Sequence, residues 1–411
     1  MGRDYIVART PDNGPTGGPR GSIGGQAATG YLHPGYAESL AEFGTPRELP
    51  YSGGWLLERV IPRCEARDAM GCYPVFTCRH WDRLHADLAE LFGHLVTVAL
   101  VPDPLANVDK TYLDGCFDLV RPFKCHYITD LTTPFQDSVN EHHRYCTRRS
   151  RQDVEVEICE EPCRYAREWI SLYGNLIQTH NVRGLRAFSP ECLRKQLSIP
   201  GMVLIVGKQR EEVLGAHLVA IHDNVAYSHL AVFSAVGYEA RAAYGIYWRT
   251  LEYLTSRKVD SFDLGGAAGL ADTPTGGLSR FKRGWSNTTR IFYPCGRVLD
   301  AESCAQICRR MGVGHTEYFP AYRAGEFSSS SQTRPPAVRR GADPSVRSEG
   351  RLSFQAGRVR QKGKPGRYMN GSSVPRLVVL RVNGVKPWLR RPVPRPDHFE
   401  VKELYDRADS I

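Results

Sequence analysis

The segment AYSHLAVFSAVGYEARAAYGIYWRTLEYLTSRKVDSFDLGG (226–266), with GLSRFKRGW (277–285) after it, decides how the second half of this sequence folds. NVAYSHLAVF (224–233) has the length and composition of a strand. Residues 240–257 carry apolar side chains at helical spacing and predict a helix. VDSFDL (259–264) predicts a further strand. We therefore expect strand, helix, strand and a second short helix in this order, which is typical of an α/β layer.

The strand at 224–233 is expected to pair with VLGAHLVAIH (213–222) in a hairpin closed at Asp223-Asn224. MVLIVG (202–207) predicts a short buried strand before them. Because side chains alternate between the two faces of a strand, each face of 224–233 should carry its own set. The predicted sets are Tyr227, His229, Ala231 and Phe233 on one face, and Ser228, Leu230 and Val232 on the other.

The first half of the chain also alternates between helices and strands. Leucines at helical spacing predict a helix over 81–93, and LVTVALV (95–101) predicts a strand directly after it. We expect an α/β protein with two successive lobes, each a mixed sheet flanked by helices, at 51–155 and 156–326.

The two ends of the sequence differ in composition from these lobes. Residues 1–50 are rich in Gly and Pro and predict a flexible leader, and the Arg-, Pro- and Ser-rich segment 327–411 predicts a disordered tail. Residues 328–411 hold 18 Lys and Arg against 7 Asp and Glu, a net charge of +11, whereas the whole chain carries +10. The rest of the chain is therefore close to neutral, and its composition does not indicate a nucleic-acid-binding surface.

The cysteine pattern and the apolar runs exclude several classes of protein. The 12 cysteines include no C-x-x-C pair, and Cys304 and Cys308 have no nearby His, so we expect no metal site. Small buried thiols in a reducing compartment are the simpler interpretation. No signal peptide is evident, and the apolar runs are shorter than the ~20 residues that span a bilayer. We expect a cytoplasmic protein without a transmembrane segment.

Three stretches resemble the GNAT superfamily, specifically the branch of Fem-type peptidoglycan-bridge transferases and related acetyltransferase-like proteins. HHRYCTRRSRQDVEVEI (142–158) is similar to the family's H-R…R-K-A-x-x-x-G-V-x-V segment between lobes. The block 226–266 matches its strand, helix and strand, and GLSRFKRGWSNTTRIFY (277–293) is similar to its G-L-x-x-F-K-x-x-W/F-G ending. The resemblance spans about 140–325, and more weakly 55–325, and implies two GNAT-like lobes with acyltransferase activity.

The resemblance also implies a place for the acyl donor. In GNAT folds a strand edge and the next helix N-terminus hold it, because free backbone N–H groups there bind phosphates. Ser234–Tyr244 occupies that place, but its lack of Gly-x-Gly spacing puts acetyl-CoA itself in doubt. An acyl-CoA is the expected donor, and aminoacyl-tRNA is the alternative. The residues assigned to donor binding are Gly237, Tyr238, Tyr244, Gly265, Gly266 and Arg283.

Three residues are candidates for catalysis. Lys282 matches the Fem-type lysine that is implicated in holding the donor or stabilising the transition state, although a solvated helix lysine is the alternative. His229 could accept the amine proton with a pKa near neutral, or it could be a structural histidine. Asp263 could orient the amine or His229, or it could cap the turn at Gly265-Gly266.

The cationic helix after residue 140 supplies the candidates for substrate binding. Arg144 and Arg148 share one face of this helix and could meet acidic groups such as phosphates, and His143 is assigned with them. The alternative is a solvated cationic face.

The expected function is an N-acyltransferase that acts on a small-molecule or lipid-linked amine of a cell-envelope or polysaccharide precursor. One alternative keeps the fold and uses aminoacyl-tRNA as donor. The other is a non-catalytic GNAT-like binding module whose basic tail contacts nucleic acid. Nucleic acid is expected to bind only through the tail or as a tRNA donor.

Overall fold

The computed structural model describes residues 27–179, 181–267, 276–314 and 316–326. The first part of the predicted leader and the predicted disordered tail at 327–411 lie outside the described residues. The predicted boundary between two lobes after residue 155 falls inside them.

The strands of the described residues form two sheets. Their bounds are β1 Thr45–Leu49, β2 Gly54–Val60, β3 Arg67–Gly71, β4 Thr97–Leu100, β5 Leu119–Val120, β6 Lys124–Asp130, β7 Glu155–Cys159, β8 Met202–Gln209, β9 Glu212–His222, β10 Val225–Phe233, β11 Ser261–Asp263, β12 Thr288–Phe292 and β13 Cys295–Val298.

Helices flank both sheets. Their bounds are α1 Pro34–Ser39, α2 Leu84–Glu90, α3 Lys110–Cys116, α4 Phe135–Ser138, α5 Glu141–Asp153, α6 Ala166–Thr179, α7 Pro190–Leu197, α8 Ala235–Glu239, α9 Ala242–Ser256, α10 Gly277–Arg283 and α11 Ala301–Arg310. The predicted order of strand, helix, strand and short helix is therefore present as β10, α9, β11 and α10, with α8 added before α9.

Both sheets are mixed, as expected. The first has the strand order β1-β2-β3-β4-β13-β5, in which only β3 and β4 run parallel. The second has the order β12-β6-β11-β10-β9-β8-β7, in which only β10 and β11 run parallel. The fold is α/β, with two mixed sheets flanked by helices.

The two sheets exchange strands along the chain. β6 precedes the predicted lobe boundary but lies inside the second sheet, between β12 and β11. β13 follows that boundary but lies in the first sheet, between β4 and β5. The sheets are therefore not two consecutive halves of the sequence, and β6 brings side chains from the first half into the second sheet, next to β11.

Part of the predicted leader is folded. Residues from Gly30 onward form a 3-10 helix and α1, and Tyr31, Tyr36 and Leu40 are buried against the second sheet. The prediction of a flexible leader to residue 50 was wrong for this part. The average composition is rich in glycine, but these three large apolar side chains are buried in the core and hold the segment in place.

The second sheet is covered on both faces. On one face α9 packs with Ile246, Leu251 and Leu254 against Val203 and Ile205 of β8. On the other face α1, α6 and α7 cover alternate residues of the same strand, Met202, Leu204 and Val206. Burial on both faces explains why β8 and β9 are continuous apolar runs.

The hairpin at Asp223-Asn224 is present, with Asp223 at φ 51° as a two-residue turn requires. The predicted alternation along β10 holds only as far as His229. Ser228 pairs with Val219 and Leu230 with Leu218, so His229 is the extra residue of a β-bulge. Beyond it the faces reverse, and Ala231 and Phe233 lie opposite Tyr227 rather than beside it.

No helix in the described ranges is long and apolar enough to cross a membrane.

Candidate active site

A cavity of about 550 Å³ opens where β10 and β11 separate. The two strands pair in parallel only up to Tyr227 and Asp263, after which β11 ends while β10 continues to Phe233. The bulge at His229 bends β10 at this same point. Residues of both strands and of α10 line the opening that results.

Five of the predicted site residues line this cavity. They are Lys282, His229, Asp263, Gly265 and Gly266. The donor candidates Gly237, Tyr238, Tyr244 and Arg283 and the substrate candidates His143, Arg144 and Arg148 are not among its lining residues.

Asp263 is buried at the end of β11, and both of its carboxylate oxygens are engaged. Oδ1 accepts a 2.7 Å hydrogen bond from the Gly265 amide, as expected for a residue that caps this turn. Oδ2 accepts a 2.7 Å hydrogen bond from Nδ1 of His126, which lies two strand positions into β6. The histidine that Asp263 contacts is therefore His126, and not His229, which was one of the alternatives for this residue.

Lys282 projects from α10 into the cavity. Its Nζ donates a 2.8 Å hydrogen bond to the Gly266 carbonyl oxygen. Burial of the ammonium group lowers the pKa of Lys282 to about 8, which the nearby Asp263 carboxylate opposes and Lys124 reinforces. The side chain is therefore a cation at neutral pH in a desolvated place, and not a solvated helix lysine.

His229 lines the cavity, but both ring nitrogens are engaged. Tyr31 Oη donates to Nδ1 at 2.9 Å, and Nε2 donates to Oε1 of Gln196 at 3.1 Å. Burial lowers the pKa of His229 to about 3. The expected pKa near neutral is wrong, because the ring is enclosed by Tyr31, Tyr36 and Phe188. These contacts give His229 a structural role.

The predicted donor segment is a capped helical turn. Ser234 caps α8 by accepting a 3.0 Å hydrogen bond from the Gly237 amide, and Tyr238 is exposed. Gly237 lies against β9, where a Cβ atom would come within 2.2 Å of the Leu214 carbonyl oxygen. Within 234–241, the backbone amides of Gly237, Tyr238, Ala240 and Arg241 donate to acceptors of the same segment.

The cationic helix α5 packs against α9 and α10. His143 is buried, its Nε2 donates to the Phe281 carbonyl oxygen at 2.9 Å, and its ring contacts Trp285 and Tyr244. Burial lowers the pKa of His143 to about 4. His143 therefore anchors α10 to α5 in its neutral form.

The two arginines predicted for substrate binding lie on the outside of α5. Arg144 is half-buried and donates from Nη1 to the Gln136 carbonyl oxygen, and Arg148 is exposed. Arg283 is also exposed, on α10.

The sequence did not reveal several residues of this cavity. His126 and Lys124 of β6 line it, as do Arg183 and Arg186 of the segment after α6. Lys124 Nζ donates to the Ala267 carbonyl oxygen at 3.1 Å. Their sequence signal is weak, because a histidine or lysine within a strand shows its partner only once the distant strands pair.

A second acidic side chain lies behind the cavity wall. Asp103 is buried and accepts a hydrogen bond from Tyr227 Oη. Burial raises the pKa of Asp103 to about 6, against the lowering effect of the Tyr227 hydrogen bond. Asp103 follows β4 of the first sheet, so this contact joins the two sheets beside the cavity.

Among the described residues, no group of three or more His, Cys, Asp or Glu side chains is placed to hold a metal ion. The cysteines Cys304 and Cys308 lie on α11 in a small apolar cluster with Cys64.

Comparison with known proteins identifies the architecture. No family profile matches this sequence, and no curated protein matches it. The crystal structure of FemX is similar over 67% of this chain and 93% of its own, with a TM-score of 0.51 and 12% identity. The chain therefore shares the fold of FemX.

Two further solved structures are similar to this chain over about the same share of its length. The C-terminal domain of a putative lysylphosphatidylglycerol synthetase from Agrobacterium fabrum covers 68% of this chain and 91% of its own, at 16% identity and a TM-score of 0.45. L-PGS from Bacillus licheniformis covers 71% of this chain and 100% of its own, at 14% identity and a TM-score of 0.43.

Proposed function

We propose that this protein transfers an acyl or aminoacyl group to an amine. The observation that carries the proposal is the Lys282 ammonium group, which is desolvated and points into a cavity at the β10–β11 opening of a GNAT fold. As an amine attacks an ester or thioester, the carbonyl oxygen gains negative charge, and a fixed cation in a dry site stabilises it strongly. The hydrogen bond to the Gly266 carbonyl oxygen fixes Nζ in advance.

The charges of the cavity support an acceptor that carries a negative group. Lys124, Arg183 and Arg186 line it together with Lys282, whereas Asp263 is the acidic residue among those lining side chains. Cationic side chains of this kind bind phosphate or carboxylate groups. An amine-bearing phosphate or carboxylate from a cell-envelope or polysaccharide precursor fits this pattern.

The donor segment supports aminoacyl-tRNA over acyl-CoA. GNAT folds hold the CoA diphosphate with free amides at this place, and here the amides of Gly237, Tyr238, Ala240 and Arg241 already donate to acceptors in the same segment, which leaves fewer for a diphosphate. Arg148 and Arg149 on the exposed face of α5 add positive charge next to this segment, because α5 packs on α9. A tRNA donor would contact such a surface through its phosphates.

The test is transfer of label to an amine from each donor separately. Purified full-length protein is incubated with radiolabelled acetyl-CoA or with a mixture of radiolabelled aminoacyl-tRNAs, and with hydroxylamine or glucosamine 6-phosphate as acceptor. We expect transfer from aminoacyl-tRNA, a preference for glucosamine 6-phosphate over glucosamine, and a loss of about 10²–10³ in kcat for Lys282→Met. No transfer from either donor would overturn the proposal and favour the non-catalytic binding module.

A further inference from the structure

His126 and Asp263 form a hydrogen-bonded pair whose free side faces the cavity. Because a carboxylate can only accept, the hydrogen of their 2.7 Å bond lies on Nδ1 of His126. In the neutral ring this leaves a lone pair on Nε2, which makes no hydrogen bond to any described residue. The orientation of the ring is fixed, since Phe292 packs on it at a centroid distance of 4.6 Å.

The carboxylate that holds this ring is itself held. Asp263 Oδ1 accepts from the Gly265 amide at 2.7 Å, and the residue is buried. A carboxylate with both oxygens engaged keeps its imidazole partner in one tautomer and stabilises the imidazolium that forms when Nε2 takes a proton. The pair is therefore arranged to accept a proton at Nε2 on the cavity side.

The Gly265-Gly266 turn lies next to both this pair and Lys282. A Cβ atom at Gly266 would lie 3.6 Å from His126 Nε2, and one at Gly265 would lie 3.1 Å from Lys282 Nζ. Gly265 also has φ +77°, which side chains rarely adopt. The two glycines thus leave open the space next to both functional groups.

We propose that His126, positioned by Asp263, is the general base that removes the proton from the acceptor amine. This rests on the proposed function. The amine nitrogen attacks the carbonyl carbon while Lys282 faces the oxygen, and the C–N bond forms as Nε2 takes the amine proton. The C–O or C–S bond of the donor then breaks, and the proton returns from Nε2 to the leaving oxygen or sulfur. His126 ends the cycle neutral, and no further reactant is needed.

The test compares variants in the transfer assay with the donor that the wild-type protein uses. His126→Gln should lower kcat with glucosamine 6-phosphate by about 10²–10⁴ and change KM much less. Asp263→Asn should also lower kcat, because an amide at this position can favour the other tautomer of the ring. The matched control is His85→Gln, since His85 is exposed and lies on α2 in the first lobe; its kcat should be unchanged.

Chemical rescue separates a base from a structural histidine. Added imidazole should restore part of the activity of His126→Ala and none of that of Lys282→Met. An active wild-type protein whose His126→Gln variant keeps its kcat, or whose His126→Ala variant gains no activity from imidazole, overturns the base role alone. A wild-type protein that transfers nothing overturns the proposed function, and the base role with it.

Discussion

Lys282 and His229 show how the surroundings of a single residue decide its chemistry. Both side chains line the same cavity, and burial lowers the pKa of both, to about 8 and about 3 respectively. At neutral pH the lysine is still charged, whereas the histidine is neutral and has both nitrogens engaged. Lys282 is therefore suited to stabilise negative charge, and His229 to hold Tyr31 and Gln196 together.

The lowered pKa of Lys282 predicts the alkaline side of the pH profile. The group loses its proton as pH rises through about 8, so the stabilising cation is present below that value and lost above it. We expect kcat to fall above about pH 8, by about tenfold per pH unit once the lysine is mostly neutral. Measurement of kcat from pH 6.5 to 9.5 checks this.

The control for this profile is Lys282→Arg, because a guanidinium stays charged throughout the range. Its kcat is expected to be lower than that of the wild-type protein but to show no fall near pH 8. An identical fall in the arginine variant would mean that another group titrates.

At the scale of elements, the packing of α8 on β9 explains Gly237, which the sequence alone suggested for donor binding. Gly237 sits where α8 crosses β9, and a methyl group there would lie 2.2 Å from a backbone oxygen of Leu214. Its small size is needed for packing between two elements.

We therefore expect Gly237→Ala to lower the free energy of unfolding by about 1–3 kcal/mol, because backbone atoms must shift to admit the methyl group. Urea unfolding followed by circular dichroism measures this. The matched control is Gly174→Ala in α6, where nothing lies within 4 Å of an added Cβ. That change should be neutral or stabilise by up to about 1 kcal/mol. Equal stabilities of the two variants would contradict the packing role.

The bulge in β10 is a second feature at this scale. One extra residue, His229, reverses the faces of the strand and bends it where β11 ends. Its sequence is compatible with a regular strand, which is why the predicted alternation failed beyond His229. The bulge becomes evident only when β10 is paired with β9.

At the scale of the whole molecule, residues 316–326 connect the end of the described chain to the first sheet and to the cavity. Arg323 makes a bidentate pair with Asp68 of β3, at 2.6 and 2.8 Å, and both residues are buried. Tyr318 and Gly325 of the same segment line the cavity. The ion pair therefore fixes one wall of the site to the other lobe.

Removal of one member of this pair should be costly. We expect Arg323→Met to lower the free energy of unfolding by about 3–5 kcal/mol, because the buried Asp68 carboxylate then keeps a more distant cation, Arg59 at 3.5 Å. The double variant Asp68→Asn/Arg323→Met should lose less than the sum of the single variants. Lys110→Met, which breaks an exposed pair with Asp114, is the control and should change stability by less than about 1 kcal/mol. If the loss in the double variant equals the sum of the two single losses, Asp68 and Arg323 do not stabilise the fold as a pair.

The buried histidines make the whole molecule sensitive to acid. Burial lowers the pKa values of His143, His217 and His229 to about 4, 3 and 3. The unfolded chain takes up these protons near pH 6.5 but the folded chain does not, so stability is lost as pH falls below about 6.5. Each histidine contributes up to about 1.4 kcal/mol per pH unit. Asp103 offsets part of this loss of stability. Its pKa is raised to about 6, so the folded state binds that proton at a higher pH than the unfolded state does.

We therefore expect urea midpoints to fall between pH 7.5 and pH 5. His217→Gln should reduce the dependence of the free energy of unfolding on pH by about one proton. Gln can still form hydrogen bonds with Ser228 and Thr250 but does not titrate. A midpoint that is constant between pH 7.5 and pH 5 would contradict this.

Much of the fold could be predicted from local patterns. The hairpin at Asp223-Asn224, the helix α9 and the short helix α10 follow from turn chemistry and apolar spacing, which depend on neighbours within a few residues. The family motif singled out Lys282, which lies on α10 and lines the cavity. The motif alone could not distinguish a solvated lysine from a desolvated one.

The sequence by itself determined the order of elements in the second lobe, the neutral charge of the part before the tail and the candidates Lys282 and Asp263. Only the tertiary structure decided that β6 joins the second sheet and brings His126 to Asp263, 137 positions away. It also decided that His229 is enclosed and that Gly237 serves packing. The reason is physical: local propensity acts over a few residues, whereas burial, pKa and hydrogen-bond partners are set by contacts between segments distant in sequence.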